Sequence, residues 1–243
     1  MLFMPWVRSW PVKGPRHKIG AVATAIALYY PNTMTTDLFI IGTDTGVGKT
    51  LVSALLCAAL GGVYWKPIQT GVREGTDRRT VMRLAELAEE GTISECYSFD
   101  PPVSPHLAAE WAGATIDLGK IRRPDVKLPG PLIVEGAGGV MAPVNESQFI
   151  LDMMRALGMP VIVVSRSALG TINHSVLTLD AIRAAGLSVR GVVVVGTPNQ
   201  DNERAIERYG CAPIIGRVPL LEVINREILL EVFNSEFDKG KFN

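Results

Sequence analysis

One nine-residue stretch, Gly42-Thr43-Asp44-Thr45-Gly46-Val47-Gly48-Lys49-Thr50, constrains this chain more than any other. It follows an apolar run at 38–41 and opens a helical pattern extending to about residue 60. A strand, a glycine-rich turn and a helix in that order turn successive backbone N–H groups inward. Together with the helix N-terminus, those groups hold phosphate oxygens. Lys49 would neutralise the β and γ phosphates, and the Thr50 hydroxyl would ligate magnesium. The match to G-x-x-x-x-G-K-[ST] is imperfect. Counting back from Gly48, Thr43 stands where the first glycine belongs, and Gly42 comes one residue early.

The alternation continues along the chain. Apolar, β-branched runs at 132–135, 161–164 and 192–195 suit strands buried on both faces, and shorter candidates lie at 63–66 and 214–215. Helical spacing falls between them: at 77–90, through Val81, Leu84, Ala85 and Ala88, and again at 149–157, 173–185, 202–209 and 222–233. This order predicts an α/β protein of the P-loop NTPase type, three layers deep, with a mostly parallel central sheet flanked by helices. The 117–131 stretch, with Pro124, Pro129 and Pro131, reads as a short helix and then a loop. No repeat or long linker divides the region, so residues 34–243 are expected to form a single domain.

Composition matters where it excludes partners. With 24 Lys+Arg against 24 Asp+Glu the chain carries no basic footprint for nucleic acid. The charge is uneven, however. Residues 1–33 hold Arg8, Lys13, Arg16 and Lys18 with no carboxylate, followed by an apolar run at 19–30 too short to span a bilayer. This segment is either an export or organelle signal or an extension preceding a start at Met34. We expect the second: a non-catalytic, dispensable extension, with no membrane partner. Cys57, Cys96 and Cys211 are isolated, without metal-ligand spacing, which fits a reducing cytoplasm.

Further candidates stand at strand ends. Pro131-Leu132-Ile133-Val134-Glu135-Gly136-Ala137-Gly138-Gly139 delivers a carboxylate where a magnesium-handling acid would face the phosphates. The following glycines allow close approach of a ligand. Lys66, in Trp65-Lys66-Pro67-Ile68-Gln69-Thr70-Gly71, would add a second cation on the transferring phosphoryl group, or else is a surface lysine. Asp77 starts a helix, as an N-cap or as a metal ligand.

Together these blocks, with Ser104-Pro105-His106 and Gly170-Thr171-Ile172-Asn173-His174-x-x-Leu177-Thr178, resemble the dethiobiotin synthetases in order and spacing, from about residue 36 to 221. The resemblance implies an ATP-dependent ligase of biotin biosynthesis. It would close a cyclic urea on 7,8-diaminononanoate with carbon dioxide (or bicarbonate), releasing ADP and phosphate. It implies that Thr45, Gly46, Val47, Gly48, Lys49 and Thr50 hold the phosphates, with Glu135 completing the nucleotide site. Thr50, Asp77 and Glu135 match the Mg2+ set. Lys49 and Lys66 match the catalytic lysines, Lys66 touching carbamate and γ-phosphate, and Thr70 and Gly138 match substrate contacts. Residues 170–173, including Asn173, match the segment that receives the substrate carboxylate from the second subunit of a homodimer. His106 and His174 are expected to be structural.

The chain departs from that pattern in several places. Gly46 stands where some members carry Glu, Val195 or Gly196 where some use Asn to read adenine, and Asn202 near a tyrosine that crosses the dimer. The connection at 117–131 is a few residues short. Other nucleoside triphosphates are therefore expected to serve beside ATP. Two rival readings are the ATP domain of a cobyrinic acid synthase-like amidoligase and a partitioning-type switch ATPase. Too few residues follow position 221 to build the former's glutaminase domain. The latter's additional loop lysine is replaced here by Asp44.

Overall fold

The structure, a computed structural model, describes residues 37–242. The reading of residues 1–33 lies outside the described residues.

β1 (Leu38–Gly42) is five buried apolar or glycine residues, a composition that favours a strand covered on both sides. The phosphate-loop segment turns it into α1 (Lys49–Leu60), which begins after Gly48 at φ 100 and ends at Gly61 at φ 62. Then come β2 (Val63–Trp65), β3 (Ile68–Thr70), α2 (Asp77–Ala85), β4 (Thr92–Ile93), β5 (Tyr97–Phe99), α3 (Pro105–Trp111) and β6 (Leu132–Gly139). The remainder alternates strictly: α4 (Ile150–Leu157), β7 (Val161–Arg166), α5 (Thr171–Ala184), β8 (Val189–Val195), α6 (Gln200–Gly210), β9 (Ile214–Val218) and α7 (Arg226–Glu236).

Seven strands form one sheet in the order β4-β2-β6-β1-β7-β8-β9, every pairing parallel, and β3 pairs with β5 in a small second sheet. Side chains alternate across the pleat. On β1, Leu38 and Ile40 join a core with α1, α2 and α7, while Phe39 and Ile41 join the opposite core with α3 to α6. Three layers result, as the sequence implies. Between Ile40 and Gly42 the β1–β6 register shifts, so that Gly42 lies against Gly139. The edge strand β9 is partly covered by an antiparallel bridge from Gly216 to Phe237 and by the Asp238 amide donating to the Ile215 carbonyl at 3.0 Å. Among the described residues no helix is long and apolar enough to cross a membrane.

Several boundaries differ from the sequence expectation. The helix expected at 77–90 ends at Ala85, because Glu86 adopts a left-handed conformation (φ 53) and its amide caps the Met82 carbonyl. The strand expected at 63–66 stops at Trp65, leaving Lys66 just past its end. The last helix starts later than residue 222, at Arg226, where the Asn225 side chain accepts from the Ile228 amide. The short helix expected within 117–131 is a single 3-10 turn, Leu118–Lys120, capped by Asp117. The β3–β5 sheet and α3 carry no clear sequence signal.

Candidate active site

The loop from Gly42 to Thr50 curls over the C-terminal end of β1, and three glycines make this possible. A Cβ on Gly42 would lie 2.6 Å from the Asp44 carbonyl oxygen and 2.7 Å from a Val47 methyl. Gly48, at φ 100, occupies a left-handed conformation costly for other residues. Gly46 has φ 71 with open space around it, so glycine is favoured there by its backbone and not by crowding.

β1, β2 and β6 lie side by side, and their C-terminal ends converge on this loop. On β2 and β6 the pleat sends Tyr64 and Ile133 to the α1 side, and Lys66 and Glu135, two residues further on, follow them. Thr50, in the first turn of α1, and Asp77, in the first turn of α2, close the cluster. The Thr50 hydroxyl lies 2.7 Å from Asp77 Oδ1 and 3.0 Å from Glu135 Oε1. The Lys66 ammonium bridges the same two carboxylates, donating to Asp77 Oδ2 and, at 3.2 Å, to Glu135 Oε1. Asp77 is not the helix cap. That role falls to Thr76, whose hydroxyl accepts from the Arg79 amide at 3.2 Å, leaving the Asp77 carboxylate free for the site.

Burial shapes the charges here. It drives the Lys49 ammonium down to about 8; Glu135 opposes this, Lys66 adds to it, and Asp77 and Asp44 oppose it. Burial alone would also lower Lys66, but Glu135 and Asp77 outweigh it and hold Lys66 above its usual value. Burial would raise Asp77, but the charge and hydrogen bond of Lys66 keep it below the usual carboxylate range. Lys49 Nζ donates to the Asp44 carbonyl at 2.9 Å, so the lysine lies folded along the loop that would take the phosphates.

These groups line an open cleft of about 1120 Å3, whose wall includes Thr70 and Gly138. Sequence reasoning overlooked three participants. Tyr64, fully buried, donates its phenol to Glu135 Oε2 at 2.9 Å. Gln69 accepts the Asp77 amide at 3.1 Å and donates to the Thr70 carbonyl at 2.7 Å, tying both to one side chain. Arg166, at the end of β7, donates to Asp44 Oδ2 at 3.0 Å. A strand tyrosine, a glutamine and a strand-end arginine have no local pattern that marks these roles.

Asn173 is not brought into the cleft. It is exposed in the first turn of α5, behind Gly170 at φ 91. That helix start is anchored from beneath by Ser165, whose hydroxyl lies 2.5 Å from the Thr171 hydroxyl and 2.9 Å from that of Ser175. A neighbouring depression of about 500 Å3 is lined by Asp44, Gly138, Met141, His174 and Leu177. His106 makes local hydrogen bonds, with Nδ1 3.0 Å from the Ser104 hydroxyl and its amide donating to the Pro143 carbonyl. Val195 covers the loop: a Cβ on Gly48 would lie 3.1 Å from both of its methyl groups. Asn202 supplies its amide to the Asn199 cap of α6.

A parallel sheet whose central strand feeds a Gly-Lys-Thr loop, with a second lysine just past β2, one carboxylate on β6 and another at the start of α2, defines a P-loop nucleotide-binding protein. A family model described as an AAA domain matches residues 36–228. The chain is 44% identical over 194 residues to the ATP-dependent dethiobiotin synthetase BioD of Nitrobacter hamburgensis, covering 80% of this chain and 91% of that one. It is 45% identical over 191 residues to the biotin biosynthesis bifunctional protein BioCD of Bordetella avium, covering 78% of this chain and 41% of that longer protein. A solved ParA family ATPase from Chlorobium tepidum is similar at a TM-score of 0.44 and 13% identity, covering 83% of this chain and 90% of that one, too distant to bear on function. The chain belongs to the ATP-dependent dethiobiotin synthetase family.

Proposed function

We propose that this chain is an ATP-dependent dethiobiotin synthetase, a ligase that forms C–N bonds to close a cyclic urea. One observation carries the reading: in a chain of this family, the phosphate loop, both lysines and both carboxylates meet in a single cleft. One amine of 7,8-diaminononanoate captures carbon dioxide as a carbamate. A carbamate oxygen attacks the γ-phosphorus and ADP departs, leaving a carbamic–phosphoric anhydride. The second amine attacks the carbamoyl carbon and expels phosphate. Lys49 and Lys66 neutralise charge on the transferring group, and positioning supplies most of the rest. Thr70 and Gly138 bound the substrate side of the cleft.

Magnesium suits the donor set. Thr50 Oγ1 lies within hydrogen-bond reach of both Asp77 Oδ1 and Glu135 Oε1, and all three are hard oxygen donors. When bound, the ion would neutralise triphosphate charge beside them. The base need not be adenine, because Val195 or Gly196 stands where some members of the family use an Asn side chain to read adenine.

The working unit we propose is a cytoplasmic homodimer in which residues 170–173 of one subunit receive the substrate carboxylate of the other. A helix start suits an anion, through amides other than that of Thr171, which the Ala168 carbonyl takes at 3.1 Å. Met141 (55% exposed) and Leu177 (60% exposed) beside it offer apolar surface for a second copy. The amidoligase and partitioning ATPase readings are not favoured by the relatives. Phosphate release that requires 7,8-diaminononanoate and bicarbonate together is the expected result; release indifferent to either would overturn the proposal.

A further inference from the structure

We infer that Tyr64 is a positioning residue for magnesium: its phenol fixes Glu135 so that a single carboxylate oxygen faces the cleft. Tyr64 lies on β2 with its ring in the core beside α1, wholly buried. A buried phenol needs a partner, and its hydroxyl has Glu135 Oε2 at 2.9 Å. The β2–β6 register sets this up by pairing Tyr64 with Ile133, so that Glu135 lies two residues further along the same face.

The two oxygens of Glu135 are thereby given separate tasks. Oε1 meets the Thr50 hydroxyl at 3.0 Å and the Lys66 ammonium at 3.2 Å, whereas Oε2 is held by Tyr64. The terminal torsion of a glutamate is broad, so packing alone does not fix which oxygen faces the ion. Magnesium demands nearly ideal octahedral geometry and tolerates a wandering or bidentate carboxylate poorly. Groups that orient a ligand from behind typically change metal affinity 10- to 100-fold when removed.

The inference rests on Glu135 being a magnesium ligand, so the test separates the two. Manganese, standing in for magnesium, is titrated by electron paramagnetic resonance into the full chain saturated with a non-hydrolysable ATP analogue. Four proteins are compared: unaltered, Tyr64→Phe, Trp65→Phe and Glu135→Gln. Trp65 is the control. It is a buried aromatic on the same strand whose indole donates to the Ser94 carbonyl at 3.2 Å, and its ring belongs to the core on the other face of the sheet from Tyr64. Tyr64→Phe should weaken manganese binding about 10- to 100-fold. It should also raise the magnesium requirement for turnover while leaving KM for diaminononanoate within about twofold, and Trp65→Phe should leave manganese binding unchanged. If Tyr64→Phe binds manganese within about threefold of the unaltered chain, or Trp65→Phe is weakened equally, the role assigned to Tyr64 is wrong. If Glu135→Gln binds manganese normally, the metal assignment itself has failed. Should Tyr64→Phe be only partly folded, adding trimethylamine N-oxide to all four proteins restores a like-for-like comparison.

Discussion

Lys49 carries its charge where burial resists it, and this makes nucleotide capture sensitive to alkali. Its ammonium titrates at about 8 in the nucleotide-free chain, against 10.5 in an exposed lysine. A bound triphosphate favours the charged form and raises that value. ATP affinity measured without divalent metal should therefore be full below about pH 8. It should fall up to about tenfold per pH unit above that, until the bound-state value is reached. Constant affinity from pH 7 to 10 would contradict the assignment. The same depression acts on the fold with a definite sign. The unfolded chain binds more protons than the folded one between about 8 and 10.5, so this group's penalty is relieved as pH rises through that window. Lys49, Lys66 and Asp77 were legible in the sequence because each sits in a local pattern at an element's end, and Glu135 because it breaks an apolar run just before a group of glycines, although β6 continues past it to Gly139. Tyr64 and Arg166 were not, since their partners lie 71 and 122 residues away, and only the folded sheet joins them.

At the level of elements, the long buried strands were easier to read than helix ends. A run such as Val161–Arg166, five of its six residues buried, announces itself, whereas helix ends depend on single capping residues. The usual sign of a helix stop is glycine in the left-handed conformation, which Gly61 and Gly158 provide. Glu86 and Cys211 do the same work at φ 53 and 47 without advertising it, and so the helix from Asp77 looked too long. Where two elements meet at a glycine, the fit can be tested. A Cβ on Gly216 of β9 would intrude on the Phe237 ring, which itself lies 5.3 Å from Phe233 and 6.0 Å from Phe242, centre to centre. Gly216→Ala should cost about 1–3 kcal/mol through overpacking, seen as a lower denaturant midpoint at unchanged slope. Phe237→Leu in the same chain should recover part of the loss. An additive double variant would mean that Phe237 does not cover that edge tightly.

For the whole molecule, the proposed shared site predicts complementation between two inactive variants. Lys49→Ala destroys the phosphate end and Asn173→Trp blocks the carboxylate end. A mixed dimer would then hold one site damaged twice and one intact, and activity should reappear on mixing. Demonstrated heterodimers without activity would refute the shared site. The strand order carries a different consequence, for the birth of the chain. Of the described strands β1 is made first, yet both of its neighbours, β6 and β7, come from far downstream, with Leu38 opposite Ile133 and Phe39 opposite Val161. β2 likewise waits for β6. At the usual pace of translation these apolar strands spend on the order of ten seconds without hydrogen-bond partners. Ribosome-bound chains arrested before residue 132 should accordingly be cut readily by protease within β1. Chains with everything through Arg166 outside the exit tunnel should resist. Early protection would mean that the first strand finds interim shelter, and a cell making this enzyme would then have less need of a chaperone at the ribosome.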